Sequence, residues 1–196
     1  MSNQANTLRA RLASAKRIVI KAGTSVVSKD DGLPSLTRLG GLVEQIAELT
    51  ATGKEVLFVS SGSVGVGRNM LRRQLMAQAS MSAHLSGKWT ESKLVEALGR
   101  KQTSYSAACA AAGQLGLMSL YDTLFATHNV AVAQLLVTST EFAHPEARAN
   151  MRSSLETMLA CGLMPIINEN DAVATEELAY SGRSGVVFGD NDRLSA

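Results

Sequence analysis

The stretch Glu55-Val56-Leu57-Phe58-Val59-Ser60-Ser61-Gly62-Ser63-Val64-Gly65-Val66-Gly67 decides the fold. Its first part is a short apolar run with β-branched and aromatic residues, the pattern of a strand buried on both faces in a parallel sheet. The glycine-rich part reads as a turn from that strand into a helix around Arg68 to Gln78. Upstream, Arg17-Ile18-Val19-Ile20-Lys21 has the same character and stops at Ala22-Gly23-Thr24-Ser25. Between the two strands, Pro34-Ser35 opens a segment with Leu36, Leu39, Leu42, Val43, Ile46 and Leu49 on one helical face, ended by Gly53. Together these make a β-α-β unit, whose crossover is right-handed in nearly all sheets.

The pattern continues downstream. Residues 80–103 are polar and irregular, an insertion with room for one short helix. Ala107 to Phe125 is a helix rich in small residues (Ala107, Ala108, Cys109, Ala110, Ala111, Ala112, Gly113), which admits a neighbouring backbone in the core or at a subunit interface. Val130 to Val137 reads as a third strand. Met151, Leu155, Met158 and Leu159 mark a helix closed by Gly162, and Leu163-Met164-Pro165-Ile166-Ile167 a fourth strand. Strands alternating with helices imply an α/β protein, a three-layer αβα sandwich around a mainly parallel sheet.

Composition sets outer bounds. The chain has 196 residues, 45% hydrophobic and only 18% charged, so it can bury a core as one domain and is not intrinsically disordered. Aromatics are 4%, which predicts a core of Leu, Val, Ile, Ala and Met. Lys and Arg number 19 against 17 Asp and Glu, a net charge of +2 with no basic stripe, so no nucleic-acid partner is expected. No run approaches the roughly 18 apolar residues of a membrane span. Residues 1–29 lack acids and carry Arg9, Arg11, Lys16, Arg17, Lys21 and Lys29, a feature shared with transit peptides. With the first strand starting at Arg17, however, residues 1–16 form only a short tail. A cytoplasmic protein is expected, with a mitochondrial one the alternative. Cys109 and Cys161 read as small buried apolar residues in a reducing compartment, with neither disulfide nor metal role.

In parallel sheets ligands bind beyond the carboxyl ends of the strands. Gly23 to Ser25, Ser60 to Gly67, Thr138 to Thr140 and Asn168 to Asp171 all fall there. Lys21, at the end of an apolar strand, either points its ammonium into that crevice or snorkels to solvent. Gly62, Gly65 and Gly67 have amides suited to cradling an anion at a helix start, or form only a tight turn; their spacing is neither the dinucleotide fingerprint nor a P-loop. Asn168-Glu169-Asn170-Asp171 and Gly189-Asp190-Asn191-Asp192, the latter after Val186-Val187-Phe188, can bind an ammonium, orient a lysine or hold Mg2+ through water. They also suit Asx turns and helix caps. His84, His128 and His144 are scattered, and no nucleophile elbow or His-paired cysteine supports acyl transfer. A lysine, glycine amides and carboxamide and carboxylate groups suit phosphoryl transfer to an acceptor that is already anionic and needs no base.

Four blocks, Val19 to Val27, Val59 to Gly67, Pro165 to Val173 and Gly189 to Ala196, resemble glutamate 5-kinase of the amino-acid kinase family, in the family's order. The segment Leu71 to Ala112, with Ala108 to Gln114, and the spacing from Asp171 to Asn191 are most like the N-terminal kinase domain of eukaryotic bifunctional Δ1-pyrroline-5-carboxylate synthase. The resemblance implies the amino-acid kinase fold and ATP-dependent phosphorylation of the L-glutamate γ-carboxylate to glutamyl 5-phosphate, the first step of proline biosynthesis. Lys21 matches the lysine that neutralises the transferring phosphoryl group. Gly23 and Gly62 join it on the nucleotide side. Ser61, Asp171, Asn191 and Asn168 match glutamate-binding residues, and Asp192 the aspartate that orients the catalytic lysines. ATP and Mg2+ are the implied cofactors, a homo-oligomer the expected assembly, and a glutamyl-phosphate reductase domain a potential fusion partner. No protein metal site is expected. Residues 17–196 would be the glutamate-binding part of the kinase domain, with the nucleotide-binding half following the Asp-Asn-Asp block. A non-catalytic glutamate-binding or kinase-associating part, or a kinase for acetylglutamate or aspartate, are the alternatives. Ala22 and Ser63 replace the more usual Leu and Ala without removing a donor or charge.

Overall fold

Among the described residues four six-residue strands form one parallel sheet: β1 (Arg17–Ala22), β2 (Glu55–Ser60), β3 (Val132–Val137) and β4 (Met164–Glu169), in the order β1-β2-β4-β3. The computed structural model describes residues 9–10, 13–78 and 102–174. In its register Lys21 lies opposite Val59, Val59 opposite Ile167 and Ile167 opposite Leu135, so all four strands end on one edge of the sheet. β4 runs two residues further than the apolar run, taking in Asn168 and Glu169, and β3 starts at Val132 rather than Val130.

Among the described residues six helices accompany the strands: α1 (Thr24–Val27), α2 (Leu36–Ala51), α3 (Ser63–Gln78), α4 (Gln102–Ala126), α5 (Ser139–Ala143) and α6 (Pro145–Ala160). Strand alternation divides the core. Ile20, Ala22, Val56, Phe58, Val132, Met164 and Ile166 face Leu39, Val43 and Ile46 of α2 and Leu117, Tyr121 and Phe125 of α4. Leu57, Val59, Leu135, Val137 and Ile167 face Met151, Leu155 and Leu159 of α6. The sheet is thus the middle layer of three, as expected of an α/β sandwich.

Despite the low aromatic content, the centre of the core is aromatic: Tyr121, Phe58 and Phe125 are the largest fully buried side chains. Phe58 meets Tyr121 edge-on at 5.2 Å between centroids and Phe125 at 6.3 Å. Each such pair adds about 0.5–1.5 kcal/mol beyond burial. Leu36, the first residue of α2, departs from its helical face and is 60% exposed. Cys109 is buried as expected, but Cys161 is exposed: it caps α6, whose packing is completed by Leu159. After it, Gly162 takes a left-handed φ of 75°, and Leu163 N–H returns to the Met158 carbonyl at 2.9 Å to close the helix.

The glycine-rich segment also departs from expectation. α3 begins at Ser63, so Gly65 and Gly67 are helical rather than part of a loop. Gly67 is there for packing. A Cβ on it would stand 1.7 Å from the Cys109 carbonyl oxygen, and one on Gly113 would stand 1.8 Å from that of Ser63. α3 and α4 therefore cross backbone to backbone, with Val64, Leu71 and Leu75 against Tyr105 and Cys109. The small-residue face of α4 is occupied within the chain, so it gives no support to a subunit interface. At the opposite edge of the sheet, Arg17 bonds Glu55 at 2.8 Å and Glu156 of α6 at 2.8 and 2.9 Å. All three are exposed, and such pairs contribute little to stability. Among the described residues no helix is long and apolar enough to cross a membrane.

Candidate active site

Because the four strands are parallel and in register, their carboxyl ends gather residues distant in sequence. β1 ends at Lys21-Ala22 and leads into Gly23 and α1. The Lys21 ammonium lies back over the chain, with Nζ 3.6 Å from the position of a Cβ on Gly23. The Gly23 carbonyl accepts from Val26 N–H at 2.9 Å, which starts the short turn of α1.

Next to it, β2 ends at Ser60, and Ser61 N–H donates to the Ala22 carbonyl at 3.0 Å, tying the two strand ends together. Ser61 is buried. Gly62 then turns the chain with a φ of 98°, and its carbonyl accepts from Val66 N–H at 3.1 Å, the first turn of α3. A Cβ on Gly62 would sit 3.3 Å from both Ser28 Oγ and Val27 Cγ1. Of the three glycines read as a cradle, Gly62 alone occupies the turn. Beneath it, Ser60 Oγ bonds the Tyr121 hydroxyl at 2.7 Å. Burial pushes the Tyr121 pKa up to about 12 against the opposing effect of that bond, so the phenol is neutral and anchors the end of β2 to α4.

The third part comes from β4. Asn168 is only 1% exposed. Its Oδ1 accepts from Glu169 N–H at 2.9 Å, and its Nδ2 donates to Oε1 of Gln114 on α4. Asn170 N–H bonds the Val137 carbonyl at 2.7 Å, which holds the turn carrying Asp171 against the end of β3. On the far side of β3, Glu141 accepts from Thr138 N–H at 2.6 Å and from the Thr138 hydroxyl, which caps α5. These bonds hold Glu141 below the usual carboxylate range.

Between these ends lies a cleft of about 290 Å³ lined by Ser63, Ala110, Ala111, Gln114, Leu115, Gln134, Leu136, Glu169, Asn170, Asp171 and Ala172. It has Asp171 in its wall, starts at the N-terminal residue of α3, and is large enough for one amino acid. Lys21, Gly23, Gly62, Ser61, Asn168 and Asp171 are thus all brought to one edge. Asn191 and Asp192 lie outside the described residues. Sequence reading gave no role to Gln114, Gln134 or Ser63. The available signal for Gln114 was a carboxamide amid the small residues of Ala107 to Gly116. His128 sits in the α4–β3 turn, at the opposite end of the strands, and His144 caps the start of α6. Among the described residues no three His, Cys, Asp or Glu side chains cluster as metal ligands.

The profile of the amino acid kinase family matches residues 16–196. The chain is 41% identical over 192 residues to Delta-1-pyrroline-5-carboxylate synthase of Solanum lycopersicum, covering 97% of this chain and 25% of that protein. It is 42% identical over 188 residues to the enzyme of that name from Mesembryanthemum crystallinum, covering 96% and 24%. It is 35% identical over 189 residues to glutamate 5-kinase of Streptococcus equi subsp. zooepidemicus, covering 96% and 60%. The chain therefore spans about a quarter of the plant relatives and three-fifths of the bacterial one. It belongs to the amino acid kinase family.

Proposed function

We propose that this member of the amino acid kinase family contributes the acceptor site and the phosphoryl-neutralising lysine for transfer of the ATP γ-phosphoryl group to the γ-carboxylate of L-glutamate. Glutamyl 5-phosphate, the first intermediate of proline biosynthesis, is the product. The observation that carries this reading is the juxtaposition of Lys21 and the Gly62 turn with Ser61, Asn168 and Asp171 at one sheet edge, beside a cleft of amino-acid size.

The chemistry follows from charge. A γ-carboxylate oxygen attacks the γ-phosphorus in line, the new P–O bond forms as the bond to the β-phosphate oxygen breaks, and ADP leaves with that electron pair. The acceptor is already an anion, so no base is required. What opposes the reaction is repulsion between two anions, and a fixed cation with oriented amides offsets it. Lys21 supplies the cation. The Gly62 turn, whose left-handed backbone leaves no room for a side chain, opens the N-terminus of the 16-residue helix α3 toward phosphate oxygens. Ser61 and Asp171 hold glutamate, and Asn168 supports that site through its bond to Gln114. From the family resemblance, Asn191 also holds glutamate and Asp192 orients the lysines. Mg2+ belongs to the same proposal, carried by the nucleotide's phosphates and adding charge neutralisation there.

A fused glutamyl-phosphate reductase, a homo-oligomeric assembly and a cytoplasmic location are further parts of the proposal. The names of the plant relatives support the first of these. The test is ATP-dependent hydroxamate formation by the full-length protein with L-glutamate, N-acetylglutamate and L-aspartate as acceptors. Glutamate is expected to give the highest kcat/KM by at least tenfold. Equal or higher activity with either other acceptor overturns the substrate assignment, and no turnover with any of them overturns the kinase assignment in favour of a binding role.

A further inference from the structure

Among the described residues, the cleft wall contains two carboxylates, Glu169 and Asp171, three carboxamides, Gln114, Gln134 and Asn170, and no Lys or Arg. An amino acid enters as a zwitterion. Its ammonium has carboxylates to meet, and the described lining offers its α-carboxylate neutral N–H and O–H donors. We propose that Gln114 is the residue that reads the α-carboxylate of the acceptor amino acid, through its Nε2, and so sets the site's preference for α-amino acids. This inference rests on the glutamate-kinase reading and names a recognition contact within it.

Orientation decides which atom of Gln114 the cleft receives. A carboxamide can present either an acceptor or a donor, and which one it presents depends on what its other end is doing. Asn168 is buried, and its Oδ1 is taken by Glu169 N–H, so its Nδ2 must donate; the atom that accepts is Gln114 Oε1. With its oxygen engaged by the strand end, Gln114 keeps Nε2 as the polar atom for the cleft it lines. Among the hydrogen bonds between described residues, this is the one that fixes the sense of a lining carboxamide. A fixed donor loses little freedom on binding and is left unpaired by a ligand that lacks the acceptor, the arrangement that discriminates most strongly.

Titration calorimetry of the full chain with L-glutamate and with 4-aminobutyrate, which is glutamate without its α-carboxylate, tests this. Gln114→Glu keeps an oxygen for Asn168 and puts a second, anionic oxygen where Nε2 stood. The ratio of the two dissociation constants is expected to move at least tenfold toward 4-aminobutyrate. If Gln114→Glu does not fold, as judged by thermal melting, Gln114→Met is read for the same shift. An unchanged ratio, or equal weakening of both ligands, overturns the assignment of Gln114 while leaving the glutamate reading intact. A parent chain that binds glutamate no better than 4-aminobutyrate also overturns it. A parent chain that binds neither ligand overturns the glutamate reading itself, and this inference with it.

Discussion

Gly67 on α3 and Gly113 on α4 face each other so closely that neither can carry a β-carbon: each would press to within 2 Å of a carbonyl oxygen on the other helix. Since Ser63 is both that carbonyl for Gly113 and a wall of the cleft, the crossing sets where α3 begins relative to the site.

Replacing Gly113 by Ala is expected to destabilise the chain by about 3 kcal/mol or more, the upper end of overpacking costs. For a chain of this size that lowers Tm by roughly 6–12 °C. Gly40→Ala, in the interior of α2 with nothing within 4 Å of a Cβ, is the control. It is expected to be neutral or to stabilise by up to about 1 kcal/mol through helix propensity. Thermal melting of the two variants beside the parent checks both.

Gly62→Ala combines a left-handed φ of 98° with contacts at 3.3 Å to Ser28 Oγ and Val27 Cγ1. The conformation alone costs about 1–2 kcal/mol. Steady-state kinetics are expected to show a KM for ATP raised more than the KM for glutamate, since the proposal sets this turn against the phosphates.

The Tyr121 phenol ionises near pH 12 in the fold, against 10.0 for an exposed tyrosine. A pKa raised by folding gives stability that is complete below pH 10 and is lost as pH rises toward 12. The loss is about 2–3 kcal/mol at 1.4 kcal/mol per unit. Tyr121→Phe removes this term. Urea unfolding at pH 8, 10 and 11.5 is expected to show the parent falling more steeply than the variant over the alkaline range.

Glu141 behaves in the opposite sense. Its bonds to the Thr138 hydroxyl and N–H hold its pKa below the ordinary 4.5, so its contribution is present above that pH and disappears as pH falls through the lowered value. Glu141→Gln is expected to cost about 1 kcal/mol near neutrality, as capping losses do. Calorimetric melting curves of the two proteins should converge by pH 3.

The strands were legible because strands buried on both faces are written as unbroken apolar runs, as at Val56 to Val59 and Pro165 to Ile167. The place of Lys21, Ser61, Asn168 and Asp171 at the carboxyl edge was legible because each ends or follows such a run, whereas the roles proposed for them come from the family resemblance. Gly65 and Gly67 misled, since a glycine needed for a helix crossing looks locally like a glycine needed for a turn. The partner that explains Gly67 is Gly113, and nothing in the intervening sequence announces that pairing. Gln114 was missed for the same reason: its role depends on Asn168, which reaches it only through the fold. Cys161 was read as buried from its Leu and Met neighbours, whereas the helix phase turns it outward.

The most direct test of Lys21 as the phosphoryl-neutralising group is the turnover of Lys21→Ala in the full-length protein, measured as glutamate- and ATP-dependent hydroxamate formation alongside a melting curve. Loss of one preorganised electrostatic contact of this kind is expected to lower kcat by about 10²–10³-fold, with the KM for glutamate changed less than threefold and Tm unchanged. A Lys21→Ala variant that folds normally and turns over at the parent rate would contradict it.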